Sequence, residues 1–251
     1  KDNMWGYNRH TDQTVNIYSA FLQNEWKNDR WGILIGGRLD KHNMVDNVIF
    51  SPRANLRFNP TQNINLRLSY SSGFRAPQAF DEDMHIENVG GTVAMIERAK
   101  DLKEEKSQSF SVSADMYHRF GAFQTNLLIE GFYTRLTDVF VLGKPYDRGD
   151  GILVKTRSNG PGAKVMGLTL EGKVAYLSIL QIQAGLTLQR SRYDEPHKWH
   201  DDAPAEKKIF RTPDTYGYFT ATCTPIKPLS IALSGTYTGR MLVQRMDITA
   251  E

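Results

Sequence analysis

The chain has a single cysteine, Cys223, which excludes an internal disulfide framework and a cysteine-based zinc site. It has no run of about 18 consecutive apolar residues, so these residues encode no transmembrane helix. Excess charge is also missing: 31 Lys and Arg against 28 Asp and Glu leave a formal net charge of +3, too little to argue for nucleic acid. No GxSxG, HExxH, P-loop or GxGxxG pattern occurs, so no standard catalytic motif supports an enzyme. Helical periodicity is nearly absent; the best helix candidate is the patch of residues 93–102. The lack of an apolar run does not exclude a membrane. A transmembrane barrel keeps its apolar residues at alternate positions, so its composition stays ordinary, as it is here with 40% hydrophobic and 24% charged residues.

What is present is alternation. In Asn63-Ile64-Asn65-Leu66-Arg67-Leu68-Ser69-Tyr70, Ile64, Leu66, Leu68 and Tyr70 fall on one side of a strand and Asn63, Asn65, Arg67 and Ser69 on the other. The stretch then leaves through Gly73 and Pro77 into a long acidic segment. The same grammar runs along the chain. Residues 15–26 read as a strand with blurred alternation, and a turn at Lys27-Asn28-Asp29-Arg30 leads into Trp31, Ile33, Ile35 and Leu39 on one face. Residues 51–58 set Ala54, Leu56 and Phe58 against Arg53, Asn55 and Arg57, and Asn59-Pro60-Thr61-Gln62 supplies turn chemistry. Further strands follow at 109–116 and 123–133, joined near Gly121, and at 166–176 and 180–189, joined near Leu177. The last pair, 215–224 and 230–238, is joined by Pro225-Ile226-Lys227-Pro228.

This amounts to about ten strands of roughly 9–13 residues, against an ordinary strand of 5–6. Their connections alternate, short then long, with long loops at about 40–50, 73–106, 137–161 and 190–213; the third holds a small apolar run, Ile152-Leu153-Val154, that suits a hairpin. Short turns on one rim and long loops on the other are the signature of an antiparallel transmembrane β-barrel. Trp26, Trp31, Tyr70, Tyr117, Tyr133, Tyr176, Tyr216, Tyr218 and Tyr237 lie near strand ends and fit its interfacial girdles. A soluble β-sandwich binding module is the alternative all-β reading, but its strands are shorter and its turn signals closer together. The chain begins Lys1-Asp2-Asn3-Met4 with no visible signal peptide and ends in polar residues just after a strand. We therefore expect a piece of a longer polypeptide.

Ser51-Pro52-Arg53-Ala54-Asn55-Leu56, Asn59-Pro60-Thr61 and Leu66-Arg67-Leu68-Ser69-Tyr70-Ser71-Ser72-Gly73-Phe74-Arg75-Ala76-Pro77 resemble the TonB-dependent outer-membrane receptors, whose strands carry SPR…L…NPT and then SYG-GFRAP. Here Ser71-Ser72-Gly73 stands where Tyr-Gly-x-Gly is common. Lys103 to Ser107, Gly131-Phe132-Tyr133-Thr134 and Leu136-Thr137-Asp138-Val139 are similar to the family's continuation. The resemblance implies that residues 1–251 are part of a barrel of about 22 strands filled by an N-terminal plug, with neither plug nor closing strands in these residues. It also implies a bacterial Gram-negative outer-membrane location, import of a siderophore, haem or cobalamin, and energy drawn from the TonB–ExbB–ExbD complex through the plug. No cofactor is expected, and no nucleic-acid partner, given the small net charge. An omptin-like outer-membrane barrel protease is the rival from another class, with Asp81, Asp83, His85 or His197 available to it.

Three clusters carry candidate chemistry. In Asp81-Glu82-Asp83-Met84-His85-Ile86-Glu87 the carboxylates of Asp81, Asp83 and Glu87 are oxygen ligands suited to a hard cation or a bound ligand, and His85 adds a nitrogen. The spacing does not match an EF-hand, and a solvated acidic loop is the other reading. Arg53, Arg57 and Arg67, with Arg38 beside them, form a basic ladder on the polar face; it suits either an anionic ligand or hydrogen bonds to a plug. Arg75, at the root of the loop, suits a brace or a ligand contact. His197-Lys198-Trp199-His200-Asp201-Asp202 reads either as a metal cluster or as a polar loop.

Overall fold

The computed structural model describes residues 2–4, 9–11, 14–77, 94–149, 153–198 and 204–243. Short strands β1 (Asp2–Met4) and β2 (Arg9–Thr11) pair with each other. Then come β3 (Ile17–Lys27), β4 (Trp31–His42), β5 (Ile49–Thr61) and β6 (Ile64–Arg75), followed by the short β7 (Ala94–Arg98). Strands β8 (Glu105–Phe120) and β9 (Phe123–Thr137) are separated from β13 (Ala163–Tyr176) and β14 (Leu180–His197) by β10 (Phe140–Leu142), β11 (Tyr146–Asp147) and β12 (Leu153–Asn159). Finally β15 (Glu206–Lys208) precedes β16 (Thr215–Ile226) and β17 (Leu229–Thr238).

The long strands form one antiparallel meander in the order β3-β4-β5-β6-β8-β9-β13-β14-β16-β17, with β15 added beside β14. The sheet is open, since β3 and β17 are not paired with each other. Each strand foreseen from alternation is present, and several are longer than the alternation alone marks. β14 continues to His197, past residue 190 where the apolar pattern stops, because its outer part still pairs with β13 and β15. The helix expected over 93–102 is instead the strand β7, laid parallel to β12 from Ala94 against Leu153 to Arg98 against Arg157. Its apolar residues mimic a helical spacing by accident; cross-strand pairing, not local propensity, decides the outcome. The apolar run ending at Val154 does enter a local sheet, with β12 between β10 and β11.

Turn chemistry explains the short rim. Asn28 Oδ1 accepts the backbone N–H of Arg30 at 2.9 Å and of Trp31 at 2.7 Å, closing the turn between β3 and β4. Gly121 has φ +59° in the two-residue link between Phe120 and Phe123, which pair across it, as a primed hairpin turn demands. Two prolines inside β5 fall where its ladder with β6 is absent or shifted. The β5–β6 pairing begins only at Arg53 against Ser71, one residue past Pro52, and its register shifts between Phe58 and Thr61, around Pro60. A proline cannot donate to a ladder, so it is tolerated at such ends and bulges.

Among the described residues, few apolar side chains along the long strands are buried. The sheet's apolar face exposes Leu68 (51%), Val112 (59%) and Leu188 (47%), and apolar side chains exposed together on one face mark a surface that something else covers. Buried side chains gather at the long-loop end, where Val45, Ile49 and Ala76 pack with Phe74. On β9 the apolar face runs Phe123, Thr125, Leu127, Ile129, Gly131, Tyr133 and then turns to Arg135. At ~3.4 Å per residue that run is roughly 34 Å long, and a tilt of about 40° reduces it to ~26 Å, the height of an outer-membrane apolar band.

Register shows the tilt directly. The row through Tyr133 passes Phe110, Tyr70, Ala54 and Ile35, yet on β4 the apolar face continues beyond Ile35 to Leu39, which faces Phe50. In the other direction the same row passes Met166 and reaches Arg190, where the apolar run has already ended at Leu188. The band therefore slides toward the short-turn rim from β4 to β14, as staggered, tilted strands require. Aromatic pairs edge it: Trp31 on Phe58 at 4.3 Å, Phe123 on Tyr176 at 4.8 Å, and Tyr70 on Phe110 at 4.7 Å at the opposite limit. Tyr117, Tyr216 and Tyr218 do not join these girdles. Their register partners Asn126, Thr187 and Gly185 put them on the polar face, so proximity to a strand end misassigns them and parity corrects it.

A Cβ at Gly121 meets nothing within 4 Å, so Gly121→Ala isolates the backbone cost of a left-handed turn. We expect a loss of about 1–2 kcal/mol in a urea titration of the full-length protein; an unchanged midpoint would contradict the turn geometry.

Candidate functional site

The polar face carries the chemistry, and the break in the β5–β6 ladder shapes it. Next to the last pair, Arg53 and Ser71, lies a concavity of ≈ 430 Å³ lined by Phe21, Gln23, Arg38, Ser51, Arg53 and Ser71 among others. Strand alternation sets these side chains there: Gln23, Gly36, Arg53 and Ser71 share one cross-strand row. Arg53 donates through Nη2 to Gln23 Oε1. Arg38 Nε donates to Asp40 Oδ2 at 2.7 Å, and Ser19 Oγ donates to Asp40 Oδ1 at 2.5 Å. Asp40, 2% exposed, is thus a buried carboxylate that orients Arg38, since a charge removed from water must be paired.

One step toward the short rim, a second concavity of ≈ 290 Å³ is lined by Glu25, Leu34, Asn55, Arg57, Arg67 and Ser69 among others. Arg57 and Arg67 are direct register partners. Like charges placed opposite each other repel, and their side chains separate accordingly. Arg67 Nε donates to Asn65 Oδ1 at 2.7 Å, and Asn65 Nδ2 donates to Asn59 Oδ1 at 2.8 Å. Arg57 instead lies over Gly32, where a Cβ would sit 3.3 Å from its Nε. Two buried polar atoms in these concavities have no partner among the described residues: Ser51 Oγ and Arg57 Nε. Such atoms are costly unless something else satisfies them.

Nearer the short rim the same face holds a self-satisfied network. Tyr218 OH donates to Glu171 Oε2, Gln183 Nε2 donates to Tyr218 OH at 2.7 Å, and Lys173 Nζ lies 3.1 Å from Glu171 Oε1. The Tyr218 ring crosses Gly185, where any Cβ would meet it at 2.5 Å. Tyr117 OH and Asn126 Nδ2 both donate to Asp115, at 2.9 and 2.5 Å. This group has its hydrogen bonds filled, in contrast to the arginine ladder.

Of the residues singled out by sequence, Arg53, Arg57 and Arg67 do come together on one face, with Arg38 beside them. Arg75 ends β6 opposite Glu105, with its guanidinium 5.4 Å over the Phe140 ring, while Glu105 Oε2 accepts the Phe140 N–H at 3.0 Å. Arg75 thus joins the root of one long loop to the start of the next. Asp81, Asp83, His85 and Glu87 lie outside the described residues, as do Trp199, His200, Asp201 and Asp202; His197 closes β14. Among the described residues no group of three or more His, Cys, Asp or Glu side chains could hold a metal ion. Sequence reasoning missed Asp40 and His42. Their only signal is the parity that puts Gly32, Leu34, Gly36, Arg38, Asp40 and His42 on one side of β4.

The family model described as TonB dependent receptor-like, beta-barrel, matches residues 2–242. The chain belongs to the TonB-dependent receptor family. Members of this family are transporters, not enzymes. Among solved TonB-dependent barrels, the siderophore receptor PirA from Acinetobacter baumannii superposes with a TM-score of 0.66 at 15% identity, over 90% of this chain and 34% of that one. The FrpB iron transporter from Neisseria meningitidis (F3-3 variant) gives 0.62 at 16%, over 89% and 33%, and the copper transporter OprC gives 0.59 at 15%, over 83% and 32%. The chain thus spans about a third of the length of these structures, and the likeness is one of fold. No curated protein matches it in sequence.

His42 is fully buried, and its Nδ1 accepts the Met44 N–H at 3.0 Å. Burial holds its pKa below the usual imidazole value, because the charged form is the one desolvation penalises. The neutral form is the folded one, so its contribution is complete above the unfolded pKa of about 6.5 and is lost as pH falls toward the lower folded value. Hydrogen-exchange protection at Met44 should drop several-fold between neutral pH and about pH 5, by at most about tenfold per pH unit for one proton. A His42→Gln variant with the same pH profile would rule out His42 as the cause.

Proposed function

We propose that this chain is part of the wall of a Gram-negative outer-membrane receptor that binds a scarce nutrient as a small metal chelate, a siderophore, haem or a cobalamin, and imports it with TonB-coupled energy. In this reading the apolar face meets lipid, the polar face lines the lumen, and the long loops at about 40–50, 73–106, 137–161 and 190–213 lie outside the cell. Further strands complete a barrel of about 22, and a plug beyond this chain carries the contact with the TonB–ExbB–ExbD complex. The siderophore, iron and copper transporters among its structural neighbours support the substrate class.

The observation that carries this reading is the basic ladder of Arg38, Arg53, Arg57 and Arg67 beside two open concavities, with Arg57 Nε still without a partner among the described residues. A lumen so lined hydrogen-bonds whatever fills it. Against the plug, the guanidinium groups make charge-assisted bonds that fix it in place. Toward an incoming anionic chelate, the same groups raise its local concentration. The omptin and β-sandwich alternatives lose their footing with the family match.

The intact receptor should take up at least one labelled ferric siderophore, haem or cobalamin in cells with TonB and not in cells without it; TonB-independent uptake would overturn the proposal. Arg57→Ala combined with Arg67→Ala should lower that uptake about tenfold while the barrel still assembles. Placement in the bilayer has its own test. Leu68→Arg puts a charge in the middle of the apolar face and should cost about 2–4 kcal/mol of folding free energy, seen as failed membrane assembly, while Arg67→Leu should assemble. The reverse pattern would exchange the two faces.

A further inference from the structure

Just past the apolar band on three neighbouring strands, the apolar face turns basic. The next residue on that face is Arg135 after Tyr133 on β9, Lys164 beyond Met166 on β13, and Arg190 after Leu188 on β14. Register makes these one patch, for Arg135 stands opposite Lys164, Lys164 opposite Arg192, and Arg192 opposite Lys208. Directly opposed side chains on one face are ~5 Å apart at Cβ, and like charges at that separation destabilise the pair. Four cations in a row across four strands need anions between them.

The chain supplies too few. Arg135 Nη2 lies 2.6 Å from Asp194 Oδ2, and Lys208 Nζ lies 2.5 Å from Asp214 Oδ2. Those two carboxylates neutralise the ends of the row. Arg135 and the nearby Lys164 and Lys207 hold the Asp194 carboxyl below the usual carboxylate range. Among the described residues Lys164, Arg190 and Arg192 have no carboxylate within salt-bridge distance. Arg190 and Arg192 are both exposed, and beneath the patch lie Tyr133, Met166 and Leu188, each exposed on the same face. A cationic surface directly above an exposed apolar one is the mould of a lipid with a phosphate-bearing headgroup: chains below, anion above.

We propose that Lys164, Arg190 and Arg192, flanked by the Arg135–Asp194 pair, bind the phosphate groups of a phosphorylated lipid headgroup in the leaflet at the long-loop rim. Juxtamembrane Lys and Arg clusters attract anionic headgroups in proportion to their number. Guanidinium groups add bidentate hydrogen bonds to phosphate oxygens. The patch is separate from the arginine ladder, because it occupies the opposite face of the sheet. The inference rests on the membrane placement proposed above, not on the transported ligand. A receptor that takes up its nutrient but fails the titration below overturns this inference alone.

The test is a titration of the detergent-purified full-length receptor with lipid A, a phosphorylated glycolipid, alongside enzymatically dephosphorylated lipid A, phosphatidylcholine and inorganic phosphate. Lys164→Gln/Arg190→Gln/Arg192→Gln should weaken lipid A binding by about tenfold or more. Lys164→Arg/Arg192→Lys, which keeps the charges, should bind within about twofold of wild type. Lys173→Gln, on the other face, should change nothing. Dephosphorylated lipid should bind the wild type as weakly as lipid A binds the triple variant. Heat-modifiable migration confirms that each barrel is folded, and Lys164→Gln alone, with a several-fold loss, replaces any triple variant that is not. Undiminished binding by the folded neutralised variant, equal binding of dephosphorylated lipid, or displacement of lipid A by millimolar inorganic phosphate would each overturn the proposal.

Discussion

The constraint on which the structure depends is that a strand's backbone N–H and C=O groups need hydrogen-bond partners. The meander meets it by pairing each long strand with its sequence neighbour, from β3 to β17. Local irregularities follow from the same demand. Pro52 sits where the β5–β6 ladder has not yet begun, and Pro60 sits inside its register shift, so the missing donors interrupt no continuous pairing with β6. The opening left at Pro52 adjoins the larger concavity of the polar face. A backbone requirement thus helps to shape the place where Arg38 and Arg53 meet open space.

Tilt is the second consequence. Strands that close a barrel must lean, and their pairing must stagger, so a band of constant height cannot follow a cross-strand row. The chain encodes that slippage in which residues are apolar: Leu39 still belongs to the band on β4, while Arg190, in the row that passes Ile35 on β4, is already beyond it on β14. The apolar pattern on each strand is therefore legible only with the register of its neighbours. This explains why strands look uneven in isolation. β3 seemed blurred because Ile17 and Phe21 belong to the polar face, opposite His42 and Arg38, while Tyr18, Leu22 and Trp26 belong to the other.

Much of the fold was legible because a period of two is local. Ile64 to Tyr70 alternate without needing to know their neighbours, and Lys27 to Arg30 carry their turn chemistry with them. What was illegible depended on distant partners. Residues 94–98 look helical until β12 arrives to pair with them, and the outer end of β14 looks like a loop until β13 and β15 flank it. The candidate site divides the same way. Arg53, Arg57 and Arg67 could be grouped from parity on two adjacent strands, whereas Asp40 and His42 gain their meaning from burial at the long-loop end, which no local pattern announces. Tyr117, Tyr216 and Tyr218 failed for a related reason: position along a strand was used where side of the strand was needed.

Parity and height together, rather than residue type, decide what a cation does here. Arg57 and Arg67 lie within the height of the apolar band but on the polar face, where they line an open concavity. Arg135 and Lys164 stand on the apolar face, and that is tolerable only because they come after its last apolar residue on their strands. Moving either group by one residue along its strand would change its surroundings completely: Arg67 would join Leu66 and Leu68 on the apolar surface, and Arg135 would turn to the polar face. Charge placement on this sheet is consequently read two residues at a time, and an arginine one position out of phase is a different physical object.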